Sequence, residues 1–131
     1  LKNTKIMNVK QASEATGTSS DTIRYYEKIG LIPRIKRDQV GNRQIDEGII
    51  RRIKFARQMR AAGMSVKSLK KYIDLVDDDD DNAVEQKVIL RSEVNLMLQR
   101  KHEIEQALAL LTYKLDHYDD HMRAAEDKLT K

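Results

Sequence analysis

The stretch from Ala83 to Leu129 contains neither glycine nor proline. Stepped along alternately by four and three, it reads Ala83, Lys87, Leu90, Val94, Met97, Lys101, Ile104, Leu108, Leu111, Leu115, Tyr118, Met122, Ala125 and Leu129. Only the two lysines break the apolar run. A seam of this period predicts one long helix that packs lengthwise on another. Unbroken, it would be roughly 70 Å long, more than a small head could cover. The simplest cover is the same helix of a second chain. Leu90, Val94, Met97, Ile104, Leu108, Leu111, Leu115, Tyr118 and Met122 are therefore assigned to a homodimer interface. Lys87 and Lys101 in the seam set register and orientation at some cost in stability.

What such a rod carries is decided by the residues before it. The net charge of +4 hides an asymmetry. Residues 1–76 hold 17 Lys and Arg against 7 Asp and Glu; residues 77–131 hold 8 against 14. A basic front on an acidic back fits a polyanion-binding head on a non-binding handle. The expected organisation is a head over 1–76, an acidic linker over 77–82 and a dimerisation helix over 83–131. The chain has no cysteine, which excludes disulfides, thiolate metal sites and thiol redox switching. No apolar run reaches the length of a membrane span and no signal peptide is visible, so a cytoplasmic protein with no membrane partner is expected.

The head is read from Thr18 to Arg43, TSSDTIRYYEKIGLIPRIKRDQVGNR. Ser19 is a good N-cap, Asp21 suits the first helical turn, and Ile23, Tyr26 and Ile29 share one face. Gly30 and Pro33 stop the helix. A first helix over 8–16, capped by Asn8 with Val9, Ala12 and Ala15 on one face, precedes it across Gly17. The pair is a helix-turn-helix. Leu31 to Ile45 reads as a hairpin with Gly41-Asn42 at its turn and Ile32, Ile35 and Val40 as apolar contacts. It carries Arg34, Lys36, Arg37 and Arg43. Ser19, Thr22, Arg24 and Tyr25, turned outward beside this basic wing, are suited to fixing register on phosphates and reading base edges of double-stranded DNA.

A third helix follows from Asp46 to Ala62, with Ile49, Ile53, Ala56 and Met59 at its inner period. Arg51, Arg52, Lys54, Arg57 and Arg60 cover much of the rest, and some of them are expected to reach phosphates. A fourth, capped by Ser65, repeats Val66, Leu69, Ile73 and Val76. The backbone amides at its start suit a phosphate, so Ser65 joins the DNA-binding set. Asp77 to Asp81 reads as a solvated linker. The fold class is mainly α: a winged helix-turn-helix head with a small β wing, and a long C-terminal helix.

The TSSDTIRYYEKIGLIP core, the Gly41-Asn42-Arg43 wing, the Ala62-Gly63-Met64-Ser65 junction and the long last helix together resemble the MerR family of bacterial transcription regulators. The resemblance covers nearly the whole chain. It implies a dimer joined by an antiparallel coiled coil, bound to a palindromic promoter whose spacer is too long. Such dimers bend and untwist the spacer so that both promoter elements face RNA polymerase. By motif match the recognition helix contributes Ser19, Thr22, Arg24 and Tyr25, and the wing Arg34, Lys36 and Arg43. The segment from Gly41 onward and the LLTYKLDHYDDHM ending are most similar to the aldehyde-responsive subgroup. That subgroup carries a cysteine in the third helix, where this chain has Gln58. Gln cannot act as the thiol nucleophile, so sensing through that position is not expected.

Other signals stay open. His117 and His121 lie four apart beside Asp116 and Asp120, a candidate metal pair that needs further ligands from elsewhere. The alternative is two solvated histidines. A small apolar or aromatic inducer held between helices of the dimer is an equal candidate. No cofactor is expected. The competing class is a coiled-coil adaptor whose basic head binds protein or RNA; it leaves the basic wing without a purpose. No nucleophile–base set, phosphate-binding Gly loop or complete metal motif is present, so an enzyme is not expected.

Overall fold

A computed structural model describes residues 5–130, apart from the side chain of His121. The order is α1 (Val9–Thr16), α2 (Ser20–Ile29), α3 (Glu47–Ala61), α4 (Val66–Asp77), α5 (Ala83–Asp116), a π-helical turn (Tyr118–Met122) and α6 (Arg123–Thr130). The residues group into two units that divide at Leu90 and Arg91, within α5. The first unit takes in the start of α5 because Ile89 packs on its core.

In the first unit each helix starts where its cap residue predicts. Asn8 and Gln11 form a reciprocal capping box on α1, and Ser19, Asp46 and Ser65 accept from backbone N–H groups at the starts of α2, α3 and α4. Such caps each contribute about 1 kcal/mol. Gly17 and Gly30 end α1 and α2 in the left-handed region, at φ 70° and 82°. At Gly17 an added Cβ would also sit 3.2 Å from the Arg57 guanidinium carbon. The left-handed backbone is what favours glycine in the turn between α1 and α2.

The core is built from Ala12 of α1, Ile23 and Tyr26 of α2, Leu31, Ile32, Ile35 and Ile45 of the wing, Ile50, Ile53 and Ala56 of α3, and Met64, Leu69 and Ile73. Four apolar expectations shift. Ala15 is exposed and Thr16 is buried in its place, its hydroxyl donating back to the Ala12 carbonyl at 2.8 Å. Val40 is 81% exposed at the wing tip. Val76 is exposed, and Ile50 enters the core beside Ile53.

The wing's β character is limited to two isolated antiparallel bridges among the described residues, Met7 with Ile45 and Arg37 with Arg43. Its turn is held by Asp38, whose carboxylate accepts from Val40 and Asn42 N–H.

In the second unit the expected single helix to Leu129 is interrupted. α5 ends at Asp116. His117 leaves helical geometry at φ −110°, ψ 28°. The Met122 N–H then donates to the His117 carbonyl at 3.3 Å, and the Arg123 N–H to that of Tyr118. These are π-type bonds, which insert residues relative to an α-helix. Asp116, Asp119 and Asp120 cluster at the negative end of the α5 dipole, which favours a stop there. Beyond it, Tyr118, Met122, Ala125 and Leu129 no longer continue the stripe at a constant heptad phase. Before it the stripe, interrupted only by Lys87 and Lys101, is bare: Val94, Ile104, Leu108, Leu111 and Leu115 are between 56% and 75% exposed in the single chain.

Candidate nucleic-acid interface

The side of the first unit formed by α2 and the wing carries a basic groove. It is lined by Arg24, Glu27, Lys28, Arg34, Ile35, Lys36, Arg37 and Arg43. A smaller recess continues it to the start of α1, where Asn8, Val9 and Lys10 meet Arg24, Arg37 and Arg43. Five of the residues expected from the sequence, Arg24, Arg34, Lys36, Arg37 and Arg43, line this groove, and Ser19, Thr22 and Tyr25 lie at the start of α2 or along it.

Ser19 spends its oxygen on the α2 cap. It accepts from the Thr22 N–H at 3.1 Å and donates to the Thr22 hydroxyl at 2.8 Å. Thr22 is therefore fixed in rotamer by the cap. Arg24 is half-exposed and pairs with the solvated Asp21 at 3.0 Å, a surface pair worth little and readily exchanged for a phosphate. Tyr25 is 46% exposed, its ring 6.4 Å from that of buried Tyr26.

On the wing, Arg34 and Lys36 are exposed and form no ion pair among the described residues. Arg37 is exposed and donates to the Gly41 carbonyl at 2.8 Å, bracing the wing tip. Arg43 is committed to Glu27, Nε to Oε1, at 2.8 Å, with the two side chains 17% and 13% exposed.

Glu27 is the residue that sequence reasoning passed over. Its second oxygen accepts from the Ile35 N–H at 2.6 Å. Burial pushes its carboxyl up, but the Ile35 N–H, the Arg43 guanidinium and the charge of Arg37 outweigh that, and its pKa lies below the ordinary value. A carboxylate one residue from Lys28 and inside a cationic stretch is the signal that could have found it. Lys10 and Lys28 were passed over too; they lie on the same groove but carry no pattern of their own.

The remaining residues fall elsewhere. Ser65 caps α4, accepting from Ser68 N–H at 3.0 Å, and lines neither recess. The cations of α3 are largely used within the unit: Arg52 pairs with Asp77, Arg60 donates to the Met64 carbonyl at 2.6 Å, and Arg57 lies over Gly17. Of the metal pair, His117 faces Asp120 at 3.8 Å and stacks near Tyr113. The His121 side chain lies outside the described residues. Among the described residues no group of three His, Asp or Glu side chains is gathered as a metal site, and no helix is long and apolar enough to cross a membrane.

A helix-turn-helix whose second helix shares a basic groove with a hairpin wing, followed by a long helix with a bare apolar stripe, defines the winged helix-turn-helix class of regulators. The family model described as MerR HTH family regulatory protein matches residues 7–75, and the chain belongs to the MerR family. It is 40% identical over 87 residues to the HTH-type transcriptional regulator AdhR of Bacillus subtilis (strain 168), a match covering 66% of this chain and 62% of that relative. A solved structure described as a MerR family transcriptional regulator from Listeria monocytogenes is similar at a TM-score of 0.74 and 39% identity, covering 95% of this chain and 94% of the other. HiNmlR, a MerR family regulator lacking the sensor domain and solved bound to promoter DNA, is similar at a TM-score of 0.69 and 27% identity, over 91% and 94%.

Proposed function

We propose that this MerR-family transcriptional regulator binds a two-fold symmetric promoter site in double-stranded DNA as a homodimer, and distorts that DNA to control transcription by RNA polymerase. The observation that carries the reading is the groove between α2 and the wing, where Arg24, Arg34 and Lys36 are presented outward while Glu27 ties the groove's two walls together. Cations held on a rigid frame meet phosphates at low ordering cost, and register on the backbone then positions the base-reading side chains. Thr22, Arg24 and Tyr25 are placed to read or brace; Arg34 and Lys36 supply phosphate contacts; Ser19, Arg37 and Arg43 hold the scaffold. HiNmlR, bound to promoter DNA, supports the same use of the head here.

The dimer rests on the bare stripe of α5 from Leu90 to Leu115. Val94, Ile104, Leu108, Leu111 and Leu115, each more than half exposed, call for a partner surface, and an identical stripe in antiparallel register is the simplest one. In this reading residues 1–76 bind DNA, 77–82 link and 83–131 dimerise, and the protein works in the cytoplasm as a binding protein and not as an enzyme. A small-molecule inducer acts on this equilibrium. The adaptor alternative gains nothing from the groove, because a protein partner does not require three unpaired or loosely paired cations beside a helix-turn-helix. The test is sedimentation of the chain alone and with a symmetric duplex from its own upstream region. Two chains alone and two chains per duplex are expected; a monomer that binds one per duplex contradicts the proposal.

A further inference from the structure

The first unit holds another cavity of about 790 Å³, lined by residues of the wing, α3 and α4. That is within the range of small-molecule sites, roughly 300–1,000 Å³. Its floor is apolar, formed by Ile49, Phe55, Tyr72 and Ile73, with the rings of Phe55 and Tyr72 stacked at 6.0 Å and 22°. Its rim is cationic, with Arg34, Lys36 and Arg51 all exposed and without an acidic partner among the described residues. One carboxylate, Asp46, also lines the cavity and accepts the Ile49 N–H at 2.9 Å as the α3 cap, and Asp77 is paired with Arg52. A flat apolar floor beneath unpaired guanidinium groups has the chemistry of one ligand class. We propose that this cavity binds a small aromatic carboxylate, its ring on the Phe55–Tyr72 pair and its carboxylate forked by Arg51 and Arg34.

An apolar floor alone would accept a neutral ring equally well. The unpaired rim makes the anion the preferred guest, because guanidinium–carboxylate forks are both strong and directional. Arg34 and Lys36 line this cavity and the groove facing DNA alike. An anion that draws them inward competes with phosphate, and linkage makes the effect reciprocal. This coupling rests on the DNA-binding reading; ligand binding itself does not.

The test titrates 2-naphthoate into the DNA-free chain by calorimetry. One saturable site per chain is expected, weakened roughly tenfold or more by Arg51→Glu and abolished by Val76→Trp, which fills the mouth. Both positions are exposed, and unchanged circular dichroism keeps the comparison sound. No saturable binding, equal affinity in all three proteins, or neutral 2-naphthylmethanol binding as tightly as the acid would each overturn the site. So would binding that proceeds only as the dimer dissociates in sedimentation, since the cavity would then belong to a second copy. With the site established, saturating 2-naphthoate should weaken DNA binding by the factor that DNA weakens 2-naphthoate; an unchanged DNA affinity overturns the coupling.

Discussion

Arg43 on the wing donates from Nε to Oε1 of Glu27 on α2 at 2.8 Å, and the other Glu27 oxygen takes the Ile35 N–H. One carboxylate therefore fastens the wing to α2 at both a side chain and the backbone. Arg43, expected as a DNA contact, is largely enclosed in this brace. Glu27→Gln keeps the shape but removes the charge that both donors face. It should lower stability by about 1–3 kcal/mol, read by urea unfolding, and loosen the wing. An unchanged midpoint would mean that the wing is held by Ile32 and Ile35 packing alone.

The same carboxylate sets a pH dependence. Its folded pKa lies below the ordinary value, so the unfolded chain binds more protons in the window between the two. Stability contributed by Glu27 is full above the ordinary glutamate pKa of about 4.3 and is lost as pH falls through the lower folded value. Acid titration of unfolding in the wild type should show this loss and Glu27→Gln should lack it. Parallel curves for the two proteins would remove Glu27 from the account.

Gly17 is constrained twice, by φ 70° and by the Arg57 guanidinium over it. Gly17→Ala should destabilise the head by about 1 kcal/mol or more. Combining it with Arg57→Ala should recover the steric part only. Full recovery in the double variant would show that the left-handed backbone costs nothing here.

Charge placed in the α5 stripe should separate the chains. Leu108 and Leu111 are 63% and 64% exposed in the single chain, so Leu108→Glu or Leu111→Glu leaves the head intact. Sedimentation should move from dimer to monomer. A dimer that survives both substitutions would place its interface elsewhere, beginning with the exposed Leu96, Leu110 and Tyr113 of the same helix.

The helix starts and stops were legible because they rest on local chemistry: Asn8, Ser19, Asp46 and Ser65 cap as their side chains dictate, and Gly17 and Gly30 close α1 and α2. The basic groove was legible as a cluster of cations on one short segment. What the sequence hid depends on contacts between distant residues. The difference between Arg34 and Lys36, which have no ion-pair partner among the described residues, and Arg37 and Arg43, which are bonded to Gly41 and Glu27, follows from where those two residues come to lie. The commitment of Arg52 to Asp77, 25 residues away, is of the same kind. The end of α5 was hidden for a different reason. Heptad periodicity carries no information about a π turn, and the apolar positions continue past His117 although the backbone phase does not.

The outward cations divide by role. Arg24→Ala should cost about 1–3 kcal/mol of specific binding and relax preference at one base position, whereas Arg34→Ala or Lys36→Ala should weaken all sequences alike and reduce the salt slope by about 1. Competition titrations on a panel of single-base operator variants check this. Uniform weakening by Arg24→Ala would make it a phosphate contact.

The central claim is that the groove between α2 and the wing recognises a particular DNA. The most direct measurement is fluorescence anisotropy of the chain against its own upstream intergenic duplex and a scrambled duplex of equal length, across a salt series. The account predicts a complex at least about a thousandfold tighter on the first than on the second, with affinity falling steeply as salt rises. Equal, weak affinity for both duplexes at every salt concentration would contradict it.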